Sequence, residues 1–288
     1  MPAVPRQLLA EGLTISEVVH GLWQIADLER GGREFDLDQA ALAMSPYVEA
    51  GLTTFDMADH YGSAEVIAGM FGGERTERLT KWTPKPGPVS REDARDAVER
   101  SLKRLRTDRI DLLQFHAWSY SDPSWLDALF HLQQLKREGL IRHLGVTNFD
   151  TNHLRIALRS GIEIVSNQVS FSLLDGRAAA AMSDFCLAQN VRLLAYGTLL
   201  GGFLSEAWLG HDEPDWDALG TWSQMKYGRF IRAAGGWEAF QQLLRRVDQV
   251  ATKHGAPTAA AASPCDLDPT PAAGVLFGPP LARPAQRG

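Results

Sequence analysis

Strand-like and helix-like runs alternate along this sequence often enough to predict an α/β fold, a (β/α)8 TIM barrel. Three observations carry that reading. Short β-branched or apolar runs recur with amphipathic helical stretches between them, the pattern of parallel βαβ units. Seven such strands are clear and an eighth is weaker, and eight favours closure over an open sheet. No Gly-x-Gly-x-x-Gly follows the first strand, which speaks against a dinucleotide-binding open sheet.

Leu13–Ser16 and Val18–Trp23 read as strands, the second ending in a Gly-Leu-Trp-Gln turn. Asp36 to Ala50 has apolar residues at helical spacing and stops at Gly51. Thr53 to Asp56 is a buried strand, and a helix runs from about Ser63, a candidate N-cap, to Phe71. Strand Arg78–Trp82 breaks at the prolines between 84 and 88, and Ser90-Arg91-Glu92-Asp93 opens a helix to about Leu105 with a capping box. Ile110–His116 is nearly all apolar, as a strand buried on both faces must be. Helix 124–137, strand 143–149, helix 151–160, strand 164–169, helix 178–189 and strand 191–196 follow. A long Trp-rich segment, 203–236, reads as loop before an amphipathic helix from Trp237 to His254. Gly274–Phe277 is the eighth strand.

Residues 1–288 read as one domain, with 255–288 an atypical tail. An apolar share of 44% supports a sizeable core, and a net charge of −6 without a basic cluster argues against nucleic acid or an anionic membrane as partner. Cys186 and Cys265 form neither a disulfide framework nor a metal-ligand spacing, so no metal is expected. With no signal-peptide core and no apolar run of membrane-spanning length, the expectation is a cytoplasmic protein. The sequence is silent on oligomeric state.

A barrel brings the C-terminal ends of its strands to one face, which here would hold Asp56, Tyr61, Lys81, His116, Thr147, Asn148, Asn167, Gln168 and Tyr196. Singly, each has an ordinary structural role: a strand-end lysine, a core histidine, a packed tyrosine. Together they form an acid-catalysis device. A phenol titrates near ~10 and is a poor acid at neutral pH. A neighbouring ammonium favours the phenolate, and a carboxylate holds the ammonium in place. An imidazole beside the phenol could orient a carbonyl oxygen. None of these groups donates hydride, so a nicotinamide or flavin is required. Tyr196 could stack on such a ring, the amides of Asn148 and Gln168 could hold its carboxamide, and the glycine-rich 197–202 loop could wrap a pyrophosphate.

Phe55-Asp56-Met57-Ala58-Asp59-His60-Tyr61-Gly62, Thr80-Lys81-Trp82, Leu113-Gln114-Phe115-His116, Gly145-Val146-Thr147-Asn148-Phe149, Ser166-Asn167-Gln168-Val169 and Tyr196-Gly197-Thr198 resemble the aldo-keto reductase family from about Leu13 to His254. The resemblance implies a (β/α)8 barrel that reduces an aldehyde or ketone with NADPH. Tyr61 would be the general acid, tuned by Asp56 and Lys81, with His116 orienting the carbonyl. It implies Thr147, Asn148 and Gln168 on the carboxamide, Tyr196 on the nicotinamide, and Gly197, Thr198, Leu199 and Gly201 around the cofactor. Trp23, Trp82 and Trp118 are candidate pocket walls, and the Trp content of the rim loops leans toward an apolar or aromatic carbonyl.

After His254 the sequence departs from that pattern. Pro257, Pro264, Pro269 and Pro271 exclude a continuous helix, and Pro279-Pro280 stand where a Gly-x-Arg phosphate grip is expected. A weakened 2′-phosphate site is therefore expected, with NADH a possible cofactor, Arg283 or Gln286 as substitutes out of register, and the last helix missing or disordered. The competing expectation is a catalytically weak barrel that serves as a cofactor-binding or scaffold protein. A metal hydrolase built on Asp56, His60 and His116 is a third reading, disfavoured because no paired-His ligand motif is present.

Overall fold

The computed structural model describes residues 4–30, 36–72, 76–262 and 272–277. Its core is a closed, all-parallel eight-stranded barrel. In barrel order the strands are β3 (Val18–Gly21), β4 (Thr54–Asp56), β5 (Glu77–Trp82), β6 (Ile110–His116), β7 (Ile141–Thr147), β8 (Ile164–Ser170), β9 (Arg192–Tyr196) and β10 (Ala272–Phe277). The expected TIM barrel is thus present. β10 closes it, with Val275 opposite Val18 on one side and Ala195 on the other.

Two preceding strands, β1 (Arg6–Ala10) and β2 (Leu13–Ser16), form a separate antiparallel hairpin. Leu9, Leu13 and Ile15 pack with the inward-facing Val19, Leu79, Leu112 and Leu194, so the hairpin floors the barrel at the N-terminal ends of its strands. Arg142 and His143, at the start of β7, donate to the carbonyls of Gly12 and Glu11 and tie the floor down. β1 was not expected: Arg6-Gln7-Leu8-Leu9-Ala10 lacks the alternation of a half-buried strand, and its pairing with β2 is what orders it.

The helices wrap the outside. α1 (Trp23–Arg30) begins where the first barrel strand was expected to continue: the Leu22 N–H donates to the Asp56 carbonyl at 2.8 Å, and the chain turns out of the sheet. The helix expected over 36–50 is two, α2 (Leu37–Leu42) and α3 (Ser45–Glu49), because Pro46 starts a new first turn rather than continuing the old one. α4 (Ala64–Phe71), α5 (Arg91–Leu105), α6 (Ser124–Arg137), α7 (Thr151–Arg159) and α8 (Ala181–Ala188) lie close to expectation. The Ser90–Asp93 capping box at α5 is formed in both directions.

The segment expected as loop, 203–236, contains α9 (Trp222–Ala233), N-capped by the Thr221 hydroxyl. With α10 (Gly236–Lys253) it encloses a second apolar cluster of Leu200, Phe203, Tyr227, Ile231, Trp237 and Phe240. α11 (Thr258–Ala261) is a single turn after Pro257. No helix among the described residues is long and apolar enough to cross a membrane. Cys265, Pro279-Pro280, Arg283, Gln286 and the expected missing closing helix lie outside the described residues.

Candidate active site

Period-two alternation builds the site. Leu79 and Leu112 face the barrel interior, so Lys81, Gln114 and His116, two and four positions further on, face it higher up. Trp82, one position off, turns outward into the core beneath the helices and packs against Phe115 at 6.1 Å. The expectation that Trp82 walls the pocket is therefore wrong, for this reason of parity. Trp23 and Trp118 do line the cavity, which occupies about 650 Å³ at the C-terminal ends of the strands.

All four expected catalytic residues line that cavity: Asp56, Tyr61, Lys81 and His116. Asp56 and Lys81 are each 2% exposed and ion-paired through Lys81 Nζ and Asp56 Oδ2. Lys81 Nζ also donates to the Met57 carbonyl at 2.9 Å. Asp56 Oδ1 accepts from Gln114 Nε2 at 2.9 Å and from Gln168 Nε2 at 2.8 Å, so both carboxylate oxygens are satisfied. Burial pulls the Lys81 ammonium below the usual lysine range, and the Asp56 carboxylate opposes that shift. Lys81 Nζ stands 5.2 Å from the centre of the Tyr61 ring.

Tyr61 sits on the loop between β4 and α4, which is held from several sides. The Asp59 N–H donates to the Lys81 carbonyl at 3.0 Å. Arg104, from α5, donates to the Asp59 carbonyl at 2.9 Å and to the buried Glu65 carboxylate at 3.2 Å, while Thr80 holds the other Glu65 oxygen at 2.6 Å. Ser63 precedes α4 as expected, but its side chain does not cap the helix; its N–H instead donates to the Glu29 carboxylate of α1. Trp23 and His60 pack edge-on to the Tyr61 ring at 5.0 and 4.9 Å. His116 is half-buried, and burial, with the nearby Lys81 ammonium, lowers its pKa to about 4. At neutral pH it is a neutral imidazole, able to donate one N–H to an oxygen without adding charge.

The expected cofactor-side residues Thr147, Asn148, Gln168, Tyr196, Gly197, Thr198, Leu199 and Gly201 line the same cavity. Asn148 takes a left-handed backbone, φ 58°, which asparagine tolerates better than most residues. Its Oδ1 accepts from the Tyr196 hydroxyl at 2.9 Å, fixing the tyrosine ring. Gln168 spends its amide hydrogens on Asp56 and on Gln114 Oε1, which leaves its carbonyl oxygen as the group facing a ligand. The buried hydroxyls of Thr147 and Thr198 have no hydrogen-bond partner among the described residues. Two orphaned hydroxyls in one cavity suit a polar ligand there, since an unpaired buried hydroxyl is costly.

Gln114 was not among the expected site residues; its signal was a polar residue within the apolar run Leu112–Phe115, two positions before His116. It also passed over Trp222, Gln224 and Lys226, which reach the cavity from α9 and its start. The lean toward aromatic substrates weakens, because Trp208, Trp216 and Trp237 pack around Phe203 in the second apolar cluster. Among the described residues, no group of three or more His, Cys, Asp or Glu side chains gathers as a metal site.

Residues 17–264 match the aldo/keto reductase family. An uncharacterized oxidoreductase of Bacillus subtilis, YcsN, is 30% identical over 225 residues, 67% of this chain and 70% of that one. The chloroplastic pyridoxal reductase of Arabidopsis thaliana is 28% identical over 217 residues, 67% of this chain and 59% of that one. The chain spans about half the length of another relative, protein tas of Escherichia coli, at 30% identity. Among solved structures, a glycerol dehydrogenase of Gluconobacter oxydans superposes with a TM-score of 0.79 over 97% of this chain and 87% of that one, at 22% identity, a likeness of fold. On a family match that covers most of its length, the chain belongs to the aldo/keto reductase family.

Proposed function

We propose that this chain reduces an aldehyde or ketone to the alcohol, reversibly, with NADPH as hydride source and Tyr61 as proton donor. The observation that supports it best is the buried Asp56–Lys81 pair beside the Tyr61 ring, with a neutral His116 on the same cavity. Reduction places negative charge on the carbonyl oxygen as hydride reaches its carbon. Tyr61 gives its hydroxyl proton to that oxygen, and the Lys81 ammonium stabilises the phenolate left behind. Asp56 opposes the loss of charge that burial imposes on Lys81 and is itself held by Gln114 and Gln168. His116 orients the carbonyl by donating an N–H. In the reverse direction the same phenolate takes the alcohol proton.

When bound, a reduced nicotinamide supplies the hydride. The residues that would hold it are Gln168, whose oxygen could accept from a carboxamide N–H, Asn148, whose Nδ2 could donate to a carboxamide oxygen, and Tyr196, whose ring could stack on it. Thr147 and Thr198 bring the two unpaired hydroxyls. NADPH is preferred to NADH here on family resemblance alone.

The test is a fluorescence titration of the purified protein with NADPH and with NADH, followed by turnover of a panel of aldehydes and ketones by the protein and by Tyr61→Phe. Saturable binding and a loss of turnover of about 10²-fold or more in Tyr61→Phe, with cofactor affinity kept, are expected. A folded protein that binds neither cofactor, or a Tyr61→Phe variant of undiminished rate, sinks the reading in favour of a non-catalytic barrel.

A further inference from the structure

Lys226, from α9, places its ammonium 4.6 Å from the centre of the Tyr196 ring and 5.2 Å from that of Tyr227, within cation–π range of both. Lys226 and Tyr196 line the same cavity, and the Tyr196 ring cannot turn away while its hydroxyl is tied to Asn148. Lys226 makes no ion pair among the described residues. The acid whose field reaches it, Asp175, is gripped by Arg177 through two 2.7 Å hydrogen bonds. The other lysine of the cavity, Lys81, is neutralised by Asp56. Lys226 therefore leaves a positive charge, without an ion-pair partner among the described residues, 4.6 Å from the centre of the ring against which a nicotinamide would stack.

We propose that Lys226 makes the site discriminate between the redox states of the nicotinamide, favouring the reduced form. The inference rests on the cofactor reading above. An oxidised nicotinamide ring carries a positive charge and a reduced one is neutral, whereas their phosphates are alike. A nearby ammonium therefore disfavours the oxidised ring and leaves the reduced ring nearly untouched. The consequence for turnover is release of the spent cofactor and a bias of the bound reaction toward carbonyl reduction. A lysine that only touched phosphate would tighten both forms equally.

The experiment compares dissociation constants for NADPH and NADP⁺, by fluorescence quenching and by calorimetry, in the unmodified protein, Lys226→Met and Lys226→Arg, with thermal melts to establish folding. The expected result is tighter NADPH binding in the unmodified protein. In Lys226→Met the ratio of the two constants should narrow by about fivefold, a modest change because Lys226 is exposed at the rim and partly screened. Lys226→Arg should keep the original ratio, and added salt should shrink the difference. Equal changes in both constants, or an unchanged ratio in Lys226→Met, overturn the proposal. Binding of neither form by the folded unmodified protein overturns the cofactor reading, and this inference with it.

Discussion

Gln168 Nε2 lies 2.8 Å from Asp56 Oδ1, a buried hydrogen bond across the barrel between residues 112 positions apart in sequence. It joins the residue expected to meet the carboxamide to the carboxylate that anchors Lys81. Gln168→Leu should cost about 1–3 kcal/mol, because a buried carboxylate oxygen loses one donor while keeping Gln114. Gln168→Glu should cost more at pH 8 than at pH 5, since a second carboxylate beside Asp56 is repelled once ionised. Urea unfolding at the two pH values checks both.

The Asp56–Lys81 pair should behave as a unit. Lys81→Met alone leaves a buried carboxylate without its counter-ion and should destabilise by about 3–5 kcal/mol. The double variant Asp56→Asn, Lys81→Met should lose clearly less than the sum of the single losses. Equilibrium unfolding of all four proteins closes the cycle.

His116 should leave no titration near 6.5 in the pH dependence of kcat/KM. Burial and its cationic neighbours hold its pKa at about 4, so the imidazole stays neutral across the ordinary assay range. Any acid-side fall that belongs to His116 should come near that lower value, and its absence from a His116→Gln profile would assign it.

A second histidine governs acid stability. His20 is 4% exposed, packed on Tyr47 at 4.3 Å, and neither ring nitrogen has a hydrogen-bond partner among the described residues. Burial lowers its pKa from 6.5 to about 4. The folded value lies below the unfolded one, so the unfolded chain takes up the proton first. Stability should therefore be unaffected above about 6.5, fall as pH drops toward about 4, and level off below, for a total of about 3 kcal/mol. His20→Leu should remove this share of the acid loss while leaving that of His116, as unfolding midpoints between pH 4 and 8 would show.

Gly197→Ala should damage the cofactor side. Gly197 has φ 74°, and an added methyl would sit 2.1 Å from the Tyr227 hydroxyl oxygen. Either the loop after β9 or α9 must give way, at a cost of about 1–3 kcal/mol. A lower melting temperature together with weaker cofactor binding is the expected pair of readings.

The barrel and its candidate active-site rim were legible because both rest on local patterns. Continuous apolar strands, capped helices and polar residues at or near several strand ends are visible within a dozen residues, and closure then brings Asp56, Lys81 and His116 together. What escaped depends on partners distant in sequence. β1 is ordered by β2, and Trp82 is turned away by strand parity rather than by its chemistry. α9 was hidden because Gly228 interrupts it, a glycine that a Trp216 ring only 2.6 Å from any added Cβ explains. With α9 hidden, Lys226 was hidden too. Gln168 was expected at the rim and lines the cavity, but its bond to Asp56 spans the barrel and leaves no local trace.

The pairing of β10 with β3 has a consequence for synthesis. β3 begins at Val18 and its partner at Ala272, so more than two hundred residues must leave the ribosome before that edge can be covered. Until then β3 and β9 each lack the partner that β10 gives them in the closed barrel, and such unpaired edges are open to wrong pairing. Such long-range parallel pairing is slow and exposes sticky edges while it waits. The hairpin of β1 and β2, made early and packed under the incomplete sheet, can hold β3 in place for the strand that arrives last.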